Sequence, residues 1–389
     1  MSDHIPGEAL RATWDAFTGG SGGEDEDPQT EWRREVAYAE RRDDQAEVER
    51  LKKNPPPGIG ISPRALAPRI IAADVGHDPS SAMAVAWAAL VDTQRGQVPK
   101  LERTFKLAIT LNDADGRAAQ FTRRVLDLLG RPDIAVAASK SGAAAEELAL
   151  TEVVPTNVPE PPDDVIGAVR KVTEATPYLV HWINHGPLTV LSSVLDDDPD
   201  LARRLIATIA ADPVAGSGTH HPGQPFFGSD PQAAAKVVVR LREPSWELRD
   251  PRTAIDRLYP PTMITIDPAA YQITPGSPLH RVLGAGDAPA WGRLLAAYLD
   301  AWFAHRHSYA AQHAMLTTAV GMGIDFVYDF PETVKIDTAG ELRVDPSGNE
   351  MMVAERVNEA PIGFLDWLER EFRDACASTG PRTQRDGLS

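Results

Sequence analysis

Residues 70–89 read IIAADVGHDPSSAMAVAWAA. The opening IIAA is an apolar run of strand length, and the closing AMAVAWAA (82–89) is a breaker-free run of small apolar residues, as in a buried helix. Between them lies DVGHDPSS (74–81), with two carboxylates, a glycine, a proline and two serines, the makings of a turn that ends a strand and caps a helix. Asp74, Ser80 and Ser81 are each residue types that cap the helix starting near Ser80.

The same alternation runs outward from this stretch. FKLAITL (105–111), DIAVAAS (133–139), YLVHWINHG (178–186) and PTMITIDPA (261–269) read as strands. AAQFTRRVLDLLG (118–130), DDVIGAVRKVTEA (163–175) and AAAKVVVRLRE (233–243) read as helices, and LTVLSSVLDDDPDLARRLI (188–206) as a helix pair. Strands and helices in alternation predict an α/β fold with a central, mostly parallel sheet flanked by helices on both faces. In such sheets ligands gather beyond the carboxyl ends of the strands, which brings 74–81, 139–141, 184–188 and Asp267 to one rim.

Residues 1–66 are of another kind. GGSGGEDEDP (19–28) is acidic and glycine-rich, EWRREVAYAERRDDQAEVERLKK (31–53) is a densely charged helical segment, and KNPPPGIGISP (53–63) reads as a linker. The expected organisation is an acidic, flexible N-terminal extension with a charged helix (1–66), one α/β domain (67–373) and a disordered tail (374–389). The charged helix is either an exposed extension or a surface for a protein partner.

A formal charge of −17 disfavours a nonspecific grip on nucleic acid, which rests on Lys and Arg neutralising phosphates. The lone Cys376 cannot form an internal disulfide, and no apolar run approaches the ~18 residues of a membrane span. A soluble, cytoplasmic protein is expected.

The order of RIIAADVGHDPSSAMAVAWA, DIAVAAS, VHWINHGPLTVLSSVLDDDPDLARRL, SDPQAAAKVV, PTMITIDPAAYQIT and a late QHAMLT (312–317) resembles the inosine-uridine preferring nucleoside hydrolase family. The resemblance spans roughly residues 69–373, including the last strands and helix. It implies a nucleoside hydrolase-like fold and a calcium-dependent N-glycosidase, in which the ion holds the ribose hydroxyls and the attacking water. It also implies a homo-oligomer.

Carried over position by position, the resemblance puts Asp74 at the first aspartate of the family's DxDxxxDDA loop and Ser80 and Ser81 at its terminal pair. An alternative alignment through Asp74 and Asp78 keeps two carboxylates but sets Pro79 at the last ligand. The late histidine is kept as His313, while its metal-binding neighbour is Ala314. The sugar-binding Glu and Asn of EFNxxxDP fall on Gln224 and Phe226, with Asp230 and Pro231 kept. GPLT survives at 186–189, with the carbonyl of His185 just before it. Calcium takes six to eight oxygens, largely from carboxylates, so these changes predict that the family's Ca²⁺ and its cofactor role are lost, with no metal ligand assigned.

The expected function is binding of a ribosyl or nucleoside-like ligand without the family's hydrolysis. Candidate ligand-binding residues are Ser80, Ser81, Asn184, His185, Gln224, Phe226 and Phe227, the two phenylalanines either stacking on a ring or lying in the core. Two other readings stay open. One is a metal-independent N-glycosidic hydrolase with Asp74 or Asp78 as general base and His313 or His185 assisting the leaving group. The other is a scaffold or complex subunit. His220 and His221 read as part of a solvated lid, the pair His305 and His307 lacks a third zinc ligand, and Asp196 to Asp198 read as a solvated helix junction.

Overall fold

The computed structural model describes residues 67–96, 103–140, 149–154, 157–176, 179–215, 226–247, 261–266, 271–305, 307–324, 326–357 and 363–379. The expected N-terminal extension, Gln224, His220, His221 and Asp267 lie outside these residues.

The quoted stretch forms strand β1 (Arg69–Ala73), a short turn, and helix α1 (Pro79–Arg95). Asp78, in extended backbone, caps the helix by accepting from the Ser80 N–H, and Pro79 takes the first helical position, where a missing N–H costs nothing. The cap is thus Asp78, neither Asp74 nor a serine. The small apolar run is buried from Ser81 to Leu90, all around the helix, because sheet and helices enclose it on every side.

Next come β2 (Phe105–Thr110), α2 (Arg117–Leu128), β3 (Ala135–Ala138), α3 (Val165–Glu174), β4 (Val180–Asn184), α4 (Thr189–Asp197), β5 (Leu205–Ala210), α5 (Pro231–Glu247) and β6 (Thr262–Ile264). Beyond them lie the short pair β7 (Gln272–Ile273) and β8 (Ala310–Ala311), helices α6 (Pro278–Leu283), α7 (Ala290–Ala304) and α8 (His313–Gly321), an antiparallel trio β9 (Val327–Ile336), β10 (Leu342–Val344) and β11 (Asn349–Val357), and α9 (Phe364–Thr379). The main sheet runs β10-β9-β11-β6-β5-β4-β1-β2-β3, with every pairing from β11 to β3 parallel. A mostly parallel sheet between helices is the predicted architecture.

Two departures matter. Leu205 and Ile206, read as the end of a helix pair, open β5; a 3-10 turn (Pro199–Arg204) capped by Asp198 separates that strand from α4. At the other end α9 runs to Thr379, past the boundary read at 373, with Ala375 buried.

Successive residues of a strand face opposite sides, and β1 feeds two cores in this way. Ile71 and Ala73 join Trp87, Tyr298, Met315 and Phe364 on one face, while Ile70 and Ala72 join Trp182, Leu191 and Val237 on the other. Trp87 meets Trp367 edge-on at 5.4 Å and donates to Glu371 at 3.3 Å, which ties α9 to α1. No helix among the described residues is long and apolar enough to cross a membrane.

Candidate functional site

The parallel strands deliver their carboxyl ends to one rim. Asp74 follows β1, Asn112 and Asp113 follow β2, Ser139 follows β3, His185 follows β4 and Asp212 lies just past β5.

Asp74 sits at the centre. Its Oδ1 is 2.8 Å from His77 Nδ1, and its Oδ2 accepts from Asn112 Nδ2 at 3.4 Å. Asn112 holds φ 52°, a left-handed backbone that asparagine tolerates better than most residues, and that turn aims its amide at the carboxylate. The loop after Asp74 is tied down twice: the Asp78 N–H donates to the Asp74 carbonyl at 3.0 Å, and the Tyr298 hydroxyl reaches the carbonyls of Val75 (2.7 Å) and Gly76 (3.1 Å). Gly186, the glycine of GPLT, packs directly on this point. A Cβ there would lie 3.1 Å from Leu111 Cδ1 and 3.2 Å from Asp74 Cβ, so glycine is what allows the two loops to meet.

The two serines are turned inward. Ser80 Oγ donates to Asp78 Oδ2 at 2.6 Å and Ser81 Oγ to the same oxygen at 3.3 Å, while the Ser80 N–H takes Oδ1 at 2.8 Å. Both serines are fully buried, and their hydroxyl protons are committed to the cap. Burial pushes the Asp78 carboxyl up to about 6; the bonds from Ser80 and Ser81 oppose this, and repulsion from Asp74 adds to it. Asp113 is likewise a cap, accepting from the N–H groups of Ala118 (3.0 Å) and Ala119 (2.8 Å).

Asn184 and His185 are also buried. Asn184 Nδ2 donates to the Gly186 carbonyl at 2.5 Å and its Oδ1 accepts from Trp182 Nε1 at 3.2 Å, so its amide shapes the GPLT turn. His185 Nε2 pairs with Thr318 Oγ1 at 2.6 Å. Burial pushes the His185 imidazole down to about 3, with the neighbouring His313 contributing, so the ring is neutral at neutral pH.

His313 opens α8, and the ring of Phe226 stacks on it at 5.0 Å and 24°. Phe227, the next residue, points the other way into the second core and is 0% exposed, so of the two phenylalanines only Phe226 stands at the rim. The turn carrying them is pinned at its far end by Asp230, which accepts from Thr189 Oγ1 at 2.9 Å and from the Ala233 N–H at 3.0 Å. The GPLT and DP motifs therefore meet through a side-chain bond. At the near end the backbone N–H groups of Phe227 and Phe226 favour the charged form of the Asp212 carboxyl. Asp212 is not among the residues that the sequence singles out: the helix reading takes in Leu205 and Ile206, and ATIAAD (207–212) carries no motif.

The other candidates lie elsewhere. His305 pairs with Glu152 at 3.3 Å and His307 stacks on Trp302 at 3.7 Å. Asp197 pairs with Arg170 at 2.7 Å, Asp196 with Lys236, and Asp198 caps the 3-10 turn, as befits a solvated junction. Among the described residues, no three His, Cys, Asp or Glu side chains converge so as to hold a metal ion.

No protein-family model matches the sequence, and no curated protein matches it. Solved structures do. A plant nucleoside hydrolase superposes with a TM-score of 0.59 at 16% identity, over 79% of this chain and 99% of that one. The inosine-uridine preferring nucleoside hydrolase from Bacillus anthracis gives 0.56 at 16% identity, over the same 79% and 99%. The type III effector protein XopQ, solved with adenosine diphosphate ribose, gives 0.54 at 13% identity, over 82% of this chain and 96% of that one. The chain thus has a nucleoside hydrolase-like fold, nearly the whole of each neighbour finding its counterpart here.

Proposed function

We propose that the protein binds a ribosyl or nucleoside-like ligand at this rim and does so without the calcium-dependent hydrolysis that the resemblance implies. The observation that carries the reading is the inward turn of Ser80 and Ser81 onto Asp78. A hard dication needs six to eight oxygens, with carboxylates to neutralise it. The loop offers Asp74, already engaged by His77 and Asn112, while Asp78 is spent on the helix cap and Ala314 supplies no side-chain oxygen. The described donor set therefore does not fit calcium, and no step is assigned to it.

What the rim retains suits a polar small molecule: a carboxylate at Asp74, a stacking ring at Phe226 and a neutral imidazole at His185. The hydrolytic alternative has its weakest support at His185, since a ring held near pKa 3 is neutral at neutral pH and a poor acid toward a leaving base. A net charge of −17 argues for a small ligand over nucleic acid. A fold neighbour solved with adenosine diphosphate ribose supports including that compound among the probes.

The test is a thermal-shift series with inosine, uridine and adenosine diphosphate ribose, each with Ca²⁺ and with EDTA, alongside an assay for free base. A ligand at a hundred times its Kd should stabilise the fold by about 2.7 kcal/mol, identically with and without calcium, and no base should be released. Stabilisation by calcium alone, or base release abolished in Asp74→Ala, would overturn the reading.

A further inference from the structure

The rim aspartates differ in what their oxygens do. Asp78, Asp113 and Asp230 are occupied as helix caps, and Asp74 is held from both sides by His77 and Asn112. Asp212 is the exception: its Oδ2 is buried from solvent and finds no hydrogen-bond donor among the described residues. A buried carboxyl oxygen that no protein donor reaches calls for a partner from outside the described residues. Burial indeed pushes this carboxyl up to about 6, against the backbone bonds from Phe227 and Phe226 that hold it down.

Its position suits such a partner. In the sheet order β5-β4-β1, Asp212 and Asp74 leave strands on either side of β4, so they flank the His185–Gly186 turn. Two strand spacings put these strands about 10 Å apart, the breadth of a small ring with its substituents. The Asp212 carboxyl also feels the backbone N–H of Phe226, whose ring covers His313. The residue as a whole is only partly buried, so the carboxyl lies just inside the rim.

We infer that Asp212 is a ligand-binding residue of this rim, its Oδ2 taking a hydroxyl or N–H donor of the bound molecule, opposite Asp74, while its backbone bonds seat Phe226. This rests on the proposed ligand-binding function and adds a residue and a ligand chemistry to it: a molecule with hydrogen-bond donors at two ends, such as a ribosyl compound.

The test is calorimetric titration of adenosine and adenosine diphosphate ribose into the full chain and into Asp212→Asn. Asparagine keeps an acceptor for the two backbone N–H groups but puts an amide donor where Oδ2 was, so a ligand donor meets a donor. Binding of at least one compound should weaken about tenfold or more, with the melting midpoint within about 2 °C of the original. If the variant does not fold, the Asp212 carboxyl ¹³C resonance of the unaltered chain gives the answer, since it should move as the ligand saturates. Unchanged affinity in Asp212→Asn, or a carboxyl resonance unmoved at saturation, would sink the inference and leave the ligand-binding function standing. Failure of the unaltered chain to bind either compound would overturn the inference, and failure to bind inosine and uridine as well would overturn both.

Discussion

At the scale of single residues, the loop 74–81 is decided by where two hydroxyl protons go. Ser80 and Ser81 give theirs to Asp78, and the buried carboxyl still favours its neutral form, with a value near 6. Its unfolded value is about 3.8. Between these two values the folded chain binds more protons than the unfolded chain, so stability due to this group falls as pH rises through about 4 to 6. Asp78→Asn cannot titrate. The stability advantage of the unaltered chain over Asp78→Asn, from urea unfolding at stepped pH, should therefore shrink by on the order of 1–3 kcal/mol across that window, and a gap independent of pH would refute the assignment. The sequence made Asp78 and both serines visible as loop residues. It could not distinguish serines facing a ligand from serines facing a cap, because that depends on which residue starts the helix, a matter of one position. Phe226 and Phe227 posed the same difficulty: adjacent residues of one turn, one over His313 and one in the core.

At the scale of elements, periodicity carried most of the parallel part of the sheet and its helices, and its failure at 201–206 had a physical cause. LARRLI (201–206) spaces Leu201 from Leu205 and Ala202 from Ile206 as a helix face would, yet the first four residues close a 3-10 turn and the last two enter β5. A short apolar strand buried on both faces carries no alternation to betray it. Asp212 lies just past this strand, in ATIAAD (207–212), a stretch with no motif to single it out. The closing helix α9 was recognised but cut short. Its last turns carry Ala375, 3% exposed, against the first core, and its earlier part carries Trp367 against Trp87. A chain ending at Arg373 should accordingly unfold at lower urea than one ending at Thr379, by about 1 kcal/mol for the lost methyl burial and the frayed turn. Trp367→Ala, which empties a larger site, should cost about 3–5 kcal/mol in the same measurement. Equal midpoints for the two truncations would show that the helix contributes nothing beyond 373.

At the scale of the whole molecule, the question is whether two cores make one folding unit. Each face of the sheet has its own set of helices, α1, α2, α6, α7, α8 and α9 on one side and α3, α4 and α5 on the other, and their apolar clusters share no residue. They do share backbone. Ile71 belongs to the first cluster and Ile70 to the second, and β1 is hydrogen-bonded on both flanks, to β2 and β4. Loss of packing on one face leaves that strand without half its support, and the strand cannot leave one core without breaking its hydrogen bonds to β2 and β4 and leaving the other core as well. The loops that carry Asp74, His185 and Asp212 leave these same central strands, so the rim inherits its rigidity from both cores. Ile70→Ala and Ile71→Ala should each lower stability by about 2–5 kcal/mol, one through each face. Near-ultraviolet circular dichroism, which senses packed tryptophans on both faces, and far-ultraviolet circular dichroism, which senses the backbone, should give the same midpoint in each variant. Separate transitions in either variant would mean that the two faces unfold apart, and a ligand at the rim would then stabilise only the face that it touches.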